Sequence, residues 1–137
     1  MLKILISILL LGSFAFCDKI NYTSYEKALE IAKKEDKIIM IELIKDNCSF
    51  CKKMEQEVLV EEKIVDGINS DFIPVLLNVD KDELPLGLEK GLTPTFAFVN
   101  KEGELFSVIP GAWKKEDFLD LLKYIKKKSK LKRELKE

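Results

Sequence analysis

Apolar residues recur along this chain in two rhythms that take turns. From Tyr25 to Asp36, Ala28, Leu29, Ile31 and Ala32 gather on one face at helical spacing, with Thr23 or Ser24 placed to cap the start and Glu26 in the first turn. Lys37 to Ile44 is then almost wholly apolar, the pattern of a central strand buried on both faces. Helical spacing returns over Lys52–Leu59, where Met54, Val58 and Leu59 point one way, and again over Glu61–Ile68. Phe72–Val79 is a second apolar strand. Lys81–Gly91 is a polar connection with Pro85 and Gly87, long enough for one helical turn. Thr95–Val99 and Leu105–Ile109 are short strands joined by the turn residues Asn100-Lys101-Glu102-Gly103. After Pro110-Gly111 a long amphipathic helix begins near Lys115, with Phe118, Leu121, Leu122 and Ile125 inward.

This order of helix, strand, helix, strand, hairpin and helix predicts an α/β fold. The first two strands run parallel through a right-handed crossover, and the hairpin adds antiparallel strands. The result is a mixed central sheet of about four strands with helices on both faces. The 137 residues suffice for one domain with a hydrophobic core, and 47% hydrophobic with 34% charged residues fits a folded soluble protein rather than a disordered one. A net charge of −1 gives no reason to expect nucleic acid as a partner.

Both ends depart from the pattern. Lys3, the apolar run Ile4–Leu11 and the small residues Gly12, Ser13 and Ala15 read as the three regions of a signal peptide, so residues 1–17 are set apart from the domain. An uncleaved anchor is the rival reading, although the run is shorter than the roughly 20 apolar residues of a comfortable span. Phe16 before Cys17 disfavours a lipid-modified cysteine, and Cys17 is given no role. Export, to a periplasm in the bacterial case, places the rest of the chain where disulfides are permitted. At the other end, residues 126–137 hold seven basic and two acidic side chains. Residues 18–128 are taken as the domain and 129–137 as a charged tail. The plain reading of that tail is a solvated helix end whose cations complement the dipole, and the sharper one is a patch for anionic lipid or an acidic partner.

Cys48-Ser49-Phe50-Cys51 sits where the first apolar strand gives way to a helix. Two thiols one helical turn apart can close into a disulfide and reopen, and the first lies at the helix N-terminus, where free N–H groups and the helix dipole favour a thiolate. Three plainer readings compete. A metal site needs about four ligands, and the chain has no His and only one other Cys, so none is expected. A purely structural disulfide closing so short a loop would restrain the unfolded chain by only about 2 kcal/mol. Two reduced core cysteines would not be expected at a helix start. The spacing favours redox chemistry at the thiols themselves, with no further cofactor. Cys48, nearer the helix end, is expected to be the exposed nucleophile, and Cys51, one turn in, the buried resolving thiol, which needs a nearby base.

The C-x-x-C at a strand–helix junction, Gly91-Leu92-Thr93-Pro94-Thr95 before a strand, and a hairpin followed by Gly111 and a final helix together resemble the thioredoxin-fold superfamily. Among its branches the chain is similar to periplasmic thioredoxin-like thiol–disulfide oxidoreductases. The resemblance implies a cis peptide before Pro94, packed against the disulfide, with the backbone of Thr93 available to an extended substrate segment. It also implies a buried acid six residues before the first cysteine, which is Glu42, exchanging protons with Cys51. Three departures stand out. Asn47 replaces the tryptophan that precedes the first cysteine in thioredoxins, Ser49-Phe50 replaces Gly-Pro, and Leu76 stands where thioredoxin carries the lysine that accompanies the acid. Trp113, the only tryptophan, is expected to pack the final helix. The intervening dipeptide tunes thiolate stability and hence potential, so the direction of electron flow is left open.

Taken with the export signal, the resemblance implies a reductase that acts through a mixed disulfide on oxidised cysteines of exported proteins, such as apocytochrome c or a dedicated partner, and is kept reduced by a membrane thiol donor; a monomer is expected. The alternatives are a disulfide isomerase or oxidase, and a thioredoxin-fold binding module whose cysteines do no catalysis.

Overall fold

The computed structural model describes residues 19–136. The expected signal segment 1–17, with Cys17, lies outside them. Helix α1 (Tyr25–Glu35) is followed by strand β1 (Ile38–Ile44), helix α2 (Ser49–Lys53), a π-helical turn (Met54–Val58) and helix α3 (Glu62–Asp71). Strands β2 (Phe72–Asn78), β3 (Thr95–Val99) and β4 (Leu105–Pro110) come next, and helix α4 (Lys115–Glu134) closes the chain. Among the described residues no helix is long and apolar enough to cross a membrane.

The strands form one mixed sheet in the order β2-β1-β3-β4, with β1 parallel to β2 and the pairs β1–β3 and β3–β4 antiparallel. The α/β architecture read from the apolar pattern is therefore the one observed. Strand β1 lies between two partners and six of its seven residues are buried, which is why its sequence shows no alternation. Period-2 geometry still divides it. Ile38 and Met40 face a core shared with Phe72, Phe96, Phe98, the π turn, α3 and α4, whereas Ile39, Ile41 and Leu43 face a second core under α1 with Val75, Ala97 and Val99.

Local chemistry accounts for the element ends. Ser24 caps α1 by accepting a hydrogen bond from the Lys27 N–H at 3.3 Å, and Asp36 ends it in the left-handed conformation. The segment expected as one helix over Lys52–Leu59 instead changes pitch at Met54, where the Leu59 N–H reaches back five residues to the Met54 carbonyl at 2.8 Å. This wider turn keeps both Met54 and Val58 buried against the sheet while Glu55 and Glu57 stay in solvent. The Lys81–Gly91 connection contains turns and no helix. Leu84 and Leu88 pack on the α1-side core, and Leu86 takes a positive φ of 59°, which breaks any helical run.

Helix α4 continues unbroken through residues 128 and 129 to Glu134, so the segment set apart as a charged tail begins inside it. Ser129 is buried, Arg133 pairs with Asp36, and Lys132 and Lys136 approach Glu104. These opposite charges draw the basic end of α4 onto the α1–β1 corner and the hairpin. Trp113 packs partly on the aromatic core, and its backbone N–H donates to Met54 Sδ at 3.1 Å.

Candidate active site

Strand β1 ends at Ile44, and the chain must then reverse into α2. Asn47 makes that turn in the left-handed region at φ 53°, a conformation that asparagine adopts more readily than most residues. Cys48 follows as the N-cap of α2, with extended backbone, and its Sγ accepts the Cys51 N–H at 3.1 Å. The sulfur thus stands where a Ser or Asp side-chain oxygen usually caps a helix. A thiolate there meets an N–H donor and the positive end of the helix dipole, both of which lower the thiol's proton affinity.

Cys48 and Cys51 are joined in a disulfide, with Cα atoms 5.2 Å apart. The expected contrast in access between them is absent in this oxidised state, since Cys48 is 8% exposed and Cys51 7%. The cause is the loop before β3. Thr93 Oγ1 donates to Cys48 Sγ at 3.4 Å, and the Thr93 carbonyl oxygen lies 3.7 Å from the same sulfur. A disulfide sulfur carries no proton, so the latter is a packing contact here and becomes a hydrogen bond only when Cys48 is a thiol. The Thr93–Pro94 peptide is cis, and the Pro94 carbonyl accepts the N–H of Gly111, whose φ of 108° suits glycine. The loop, the disulfide and the end of the hairpin therefore form one connected surface, on which Phe50 and Leu92 are exposed apolar side chains.

Glu42 lies on the inner part of β1, 3% exposed. It is registered opposite Leu76 on β2 and Phe96 on β3, on the face that Ile38 and Met40 share with the π turn. Leu76 thus occupies the cross-strand position opposite the acid and offers it no charge. The polar partner comes from elsewhere: Tyr22 Oη donates to Glu42 Oε2 at 2.6 Å. The Glu42 carboxyl is raised to about 7: burial pushes it up most, the Tyr22 hydrogen bond pulls against that, and the Glu55 charge adds to the rise. The Tyr22 hydroxyl is raised far above its usual range by burial and by the Glu42 charge and hydrogen bond, so it stays protonated and acts only as a donor. Nothing in the sequence pattern signals Tyr22, which precedes the first helix among polar residues.

The structure thus brings Cys48, Cys51, Thr93 and Pro94 together and buries Glu42 on the sheet face covered by the π turn that follows the cysteine helix. Among the described residues no group of three or more His, Cys, Asp or Glu side chains is placed to hold a metal ion.

Comparison with known proteins places this geometry. Residues 25–126 match the family described as a thioredoxin-like domain. A rice protein, the chloroplastic thioredoxin-like protein HCF164 of Oryza sativa subsp. japonica, is 33% identical over 105 residues, covering 73% of this chain and 37% of that protein. The chain therefore spans little more than a third of the length of that relative. Among solved structures, a putative disulphide-isomerase from Bacteroides thetaiotaomicron shares 28% identity at a TM-score of 0.63, over 80% of this chain and 92% of the other. A DsbH oxidoreductase superposes with a TM-score of 0.67 at 18% identity, over 78% and 84% of the two chains, and speaks to the fold alone. With residues 25–126 matched and a cysteine pair closed at the strand–helix junction, this chain belongs to the thioredoxin-like domain family.

Proposed function

We propose that the protein is an exported reductase that passes two electrons from a membrane thiol donor to disulfides of exported proteins. The observation that carries this reading is Cys48 Sγ at the cap of α2, held by the Cys51 N–H and lying against Thr93. In the reduced form the Cys48 thiolate attacks one sulfur of a substrate disulfide. That S–S bond breaks, the leaving sulfur takes the electron pair and a proton, and Cys48 is left in a mixed disulfide. Cys51 then gives its proton to the Glu42 carboxylate and attacks Cys48 Sγ, and the second substrate sulfur leaves with its electron pair and takes a proton from solvent, to which Glu42 returns the one it accepted. The substrate has gained two electrons and two protons, and the Cys48–Cys51 disulfide has formed. A donor dithiol then reduces the Cys48–Cys51 disulfide by the same exchange and is itself left as a disulfide.

The Thr93–Pro94 loop supports a docking role for an extended substrate segment beside Cys48, with Phe50 and Leu92 offering apolar contact. Export rests on the amino-terminal pattern of residues 1–17 and on the oxidising compartment that a substrate disulfide requires. The reading is tested by trapping with Cys51→Ala in intact cells. Mixed disulfides are expected on Cys48 with exported proteins and with a membrane dithiol protein. Recovery of no covalent partner, or of cytosolic partners only, overturns the proposal. A partner set consisting of proteins with several scrambled disulfides would favour the isomerase reading instead.

A further inference from the structure

The segment before α1 is neither strand nor helix, yet it is fastened at both ends. Asn69 Nδ2 on α3 donates to the Lys19 carbonyl at 2.8 Å, and Asn69 Oδ1 accepts the Asn21 N–H at 2.9 Å. Thr23 N–H donates to the Pro74 carbonyl on the edge strand β2 at 3.0 Å, Ile20 packs on the aromatic core, and Ser24 caps α1. Residues 19–24 form a strap laid along β2 and α3. Tyr22 lies between its fastenings, 37% exposed, with its hydroxyl turned inward to Glu42 at 2.6 Å.

This is an unusual arrangement for a polar pair. A buried carboxylate without a donor is strongly disfavoured, and the strands on either side of Glu42 supply only Leu76 and Phe96. The strap supplies the donor from outside the sheet. Because Tyr22 stays protonated, its hydrogen bond favours the ionised carboxylate without adding a compensating charge, as a lysine would. The other titratable group that acts on Glu42 is Glu55, on the π turn above it, whose negative charge works in the opposite direction.

We propose that Tyr22 is a positioning residue for the dithiol chemistry: it holds the Glu42 carboxylate through its donated hydrogen bond and sets how readily that carboxylate accepts the Cys51 proton. The inference rests on the role given to Glu42 above and adds the group that governs it. Removing the hydroxyl with Tyr22→Phe keeps the ring and the strap but takes the donor away. The Glu42 titration midpoint then rises by about one pH unit, since loss of a hydrogen bond to the charged form disfavours ionisation. At pH 7 resolution of the Cys48 mixed disulfide slows about fivefold, and the wild-type rate is recovered as the pH is raised about one unit. The initial attack by Cys48 is unaffected.

Two measurements on the full domain separate the possibilities. Carboxyl NMR titration of Glu42 in the oxidised protein reads the contact independently of activity. Stopped-flow rates of attack and resolution across pH, for wild type, Tyr22→Phe, Glu42→Gln and the double variant, read its use. Support requires an upward midpoint, a resolution profile shifted by the same amount, and no further slowing when Tyr22→Phe is added to Glu42→Gln. An unmoved midpoint, or additive slowing in the double variant, overturns the role of Tyr22 while leaving that of Glu42 standing. A wild-type resolution profile in Glu42→Gln overturns the role of Glu42, and with it this one, even if the midpoint moves.

Discussion

The two faces of the sheet are built from the same strands but to different ends. Under α1 the buried residues of the core are all aliphatic, with Ala28 and Ala32 letting the helix come close to Ile39, Ile41, Val75 and Val99. On the other face lie Phe72, Phe96, Phe98 and Phe118, the sulfur-bearing Met40 and Met54, and in the row of Ile38 and Met40 a carboxyl group at Glu42. Tilted aromatic pairs such as Phe96–Phe118, with ring centroids 4.9 Å apart and planes at 58°, fill the space under α4. One face holds the sheet together, and the other holds it together around a titratable group. The difference shows that a strand buried on both sides can carry chemistry on alternate residues without interrupting its apolar character.

Substitutions on β1 can break that contrast. Ile41→Ala, on the aliphatic face, removes a fully buried side chain and is expected to destabilise the domain by about 2–5 kcal/mol in urea unfolding, while the surviving folded fraction reduces disulfides at the wild-type rate. A loss of specific activity in the folded protein would mean that the two faces are not separable. Glu42→Gln should do the reverse, slowing resolution but raising stability at alkaline pH. The sign follows from the raised carboxyl: between the unfolded value near 4.5 and the folded value near 7 the folded state binds more protons, so wild-type stability falls as pH rises through this window. Above pH 8 the variant gains up to roughly 3 kcal/mol relative to wild type, and below pH 4 this contribution disappears. Thermal melts at pH 4 and pH 8 check it, and a gain independent of pH would contradict the assignment. The smallest effect belongs to the rim. Arg133→Ala breaks an exposed two-point contact to Asp36, 3.0 Å at each oxygen, and should cost less than about 1 kcal/mol, shrinking further in high salt.

Much of the fold was legible because burial leaves a periodic record. The two-sided burial of β1 shows as a continuous apolar run, and the inward face of α4 as Phe118, Leu121, Leu122 and Ile125. The cysteine pair was legible because its spacing is local and its position lies at a junction of two rhythms. What escaped depends on hydrogen-bond geometry between distant segments. The change of pitch at Met54 leaves the apolar spacing nearly unaltered, and the pairing of Tyr22 with Glu42 joins residues 20 apart through a segment that has no period of its own. The equal covering of Cys48 and Cys51 likewise comes from Thr93, 45 residues beyond the first cysteine.

The strap also bears on how this protein is cut and handled. The family match begins at residue 25, after Tyr22, and the export proposed above would put a processing site only a few residues before Lys19. An expression clone begun at residue 25 would keep every strand and helix and both cysteines, and would discard the hydroxyl that faces the buried acid. A protease that removed residues 19–22 would do the same in the cell. Under the proposed export, the point of leader removal would therefore become a setting of the proton balance inside the sheet.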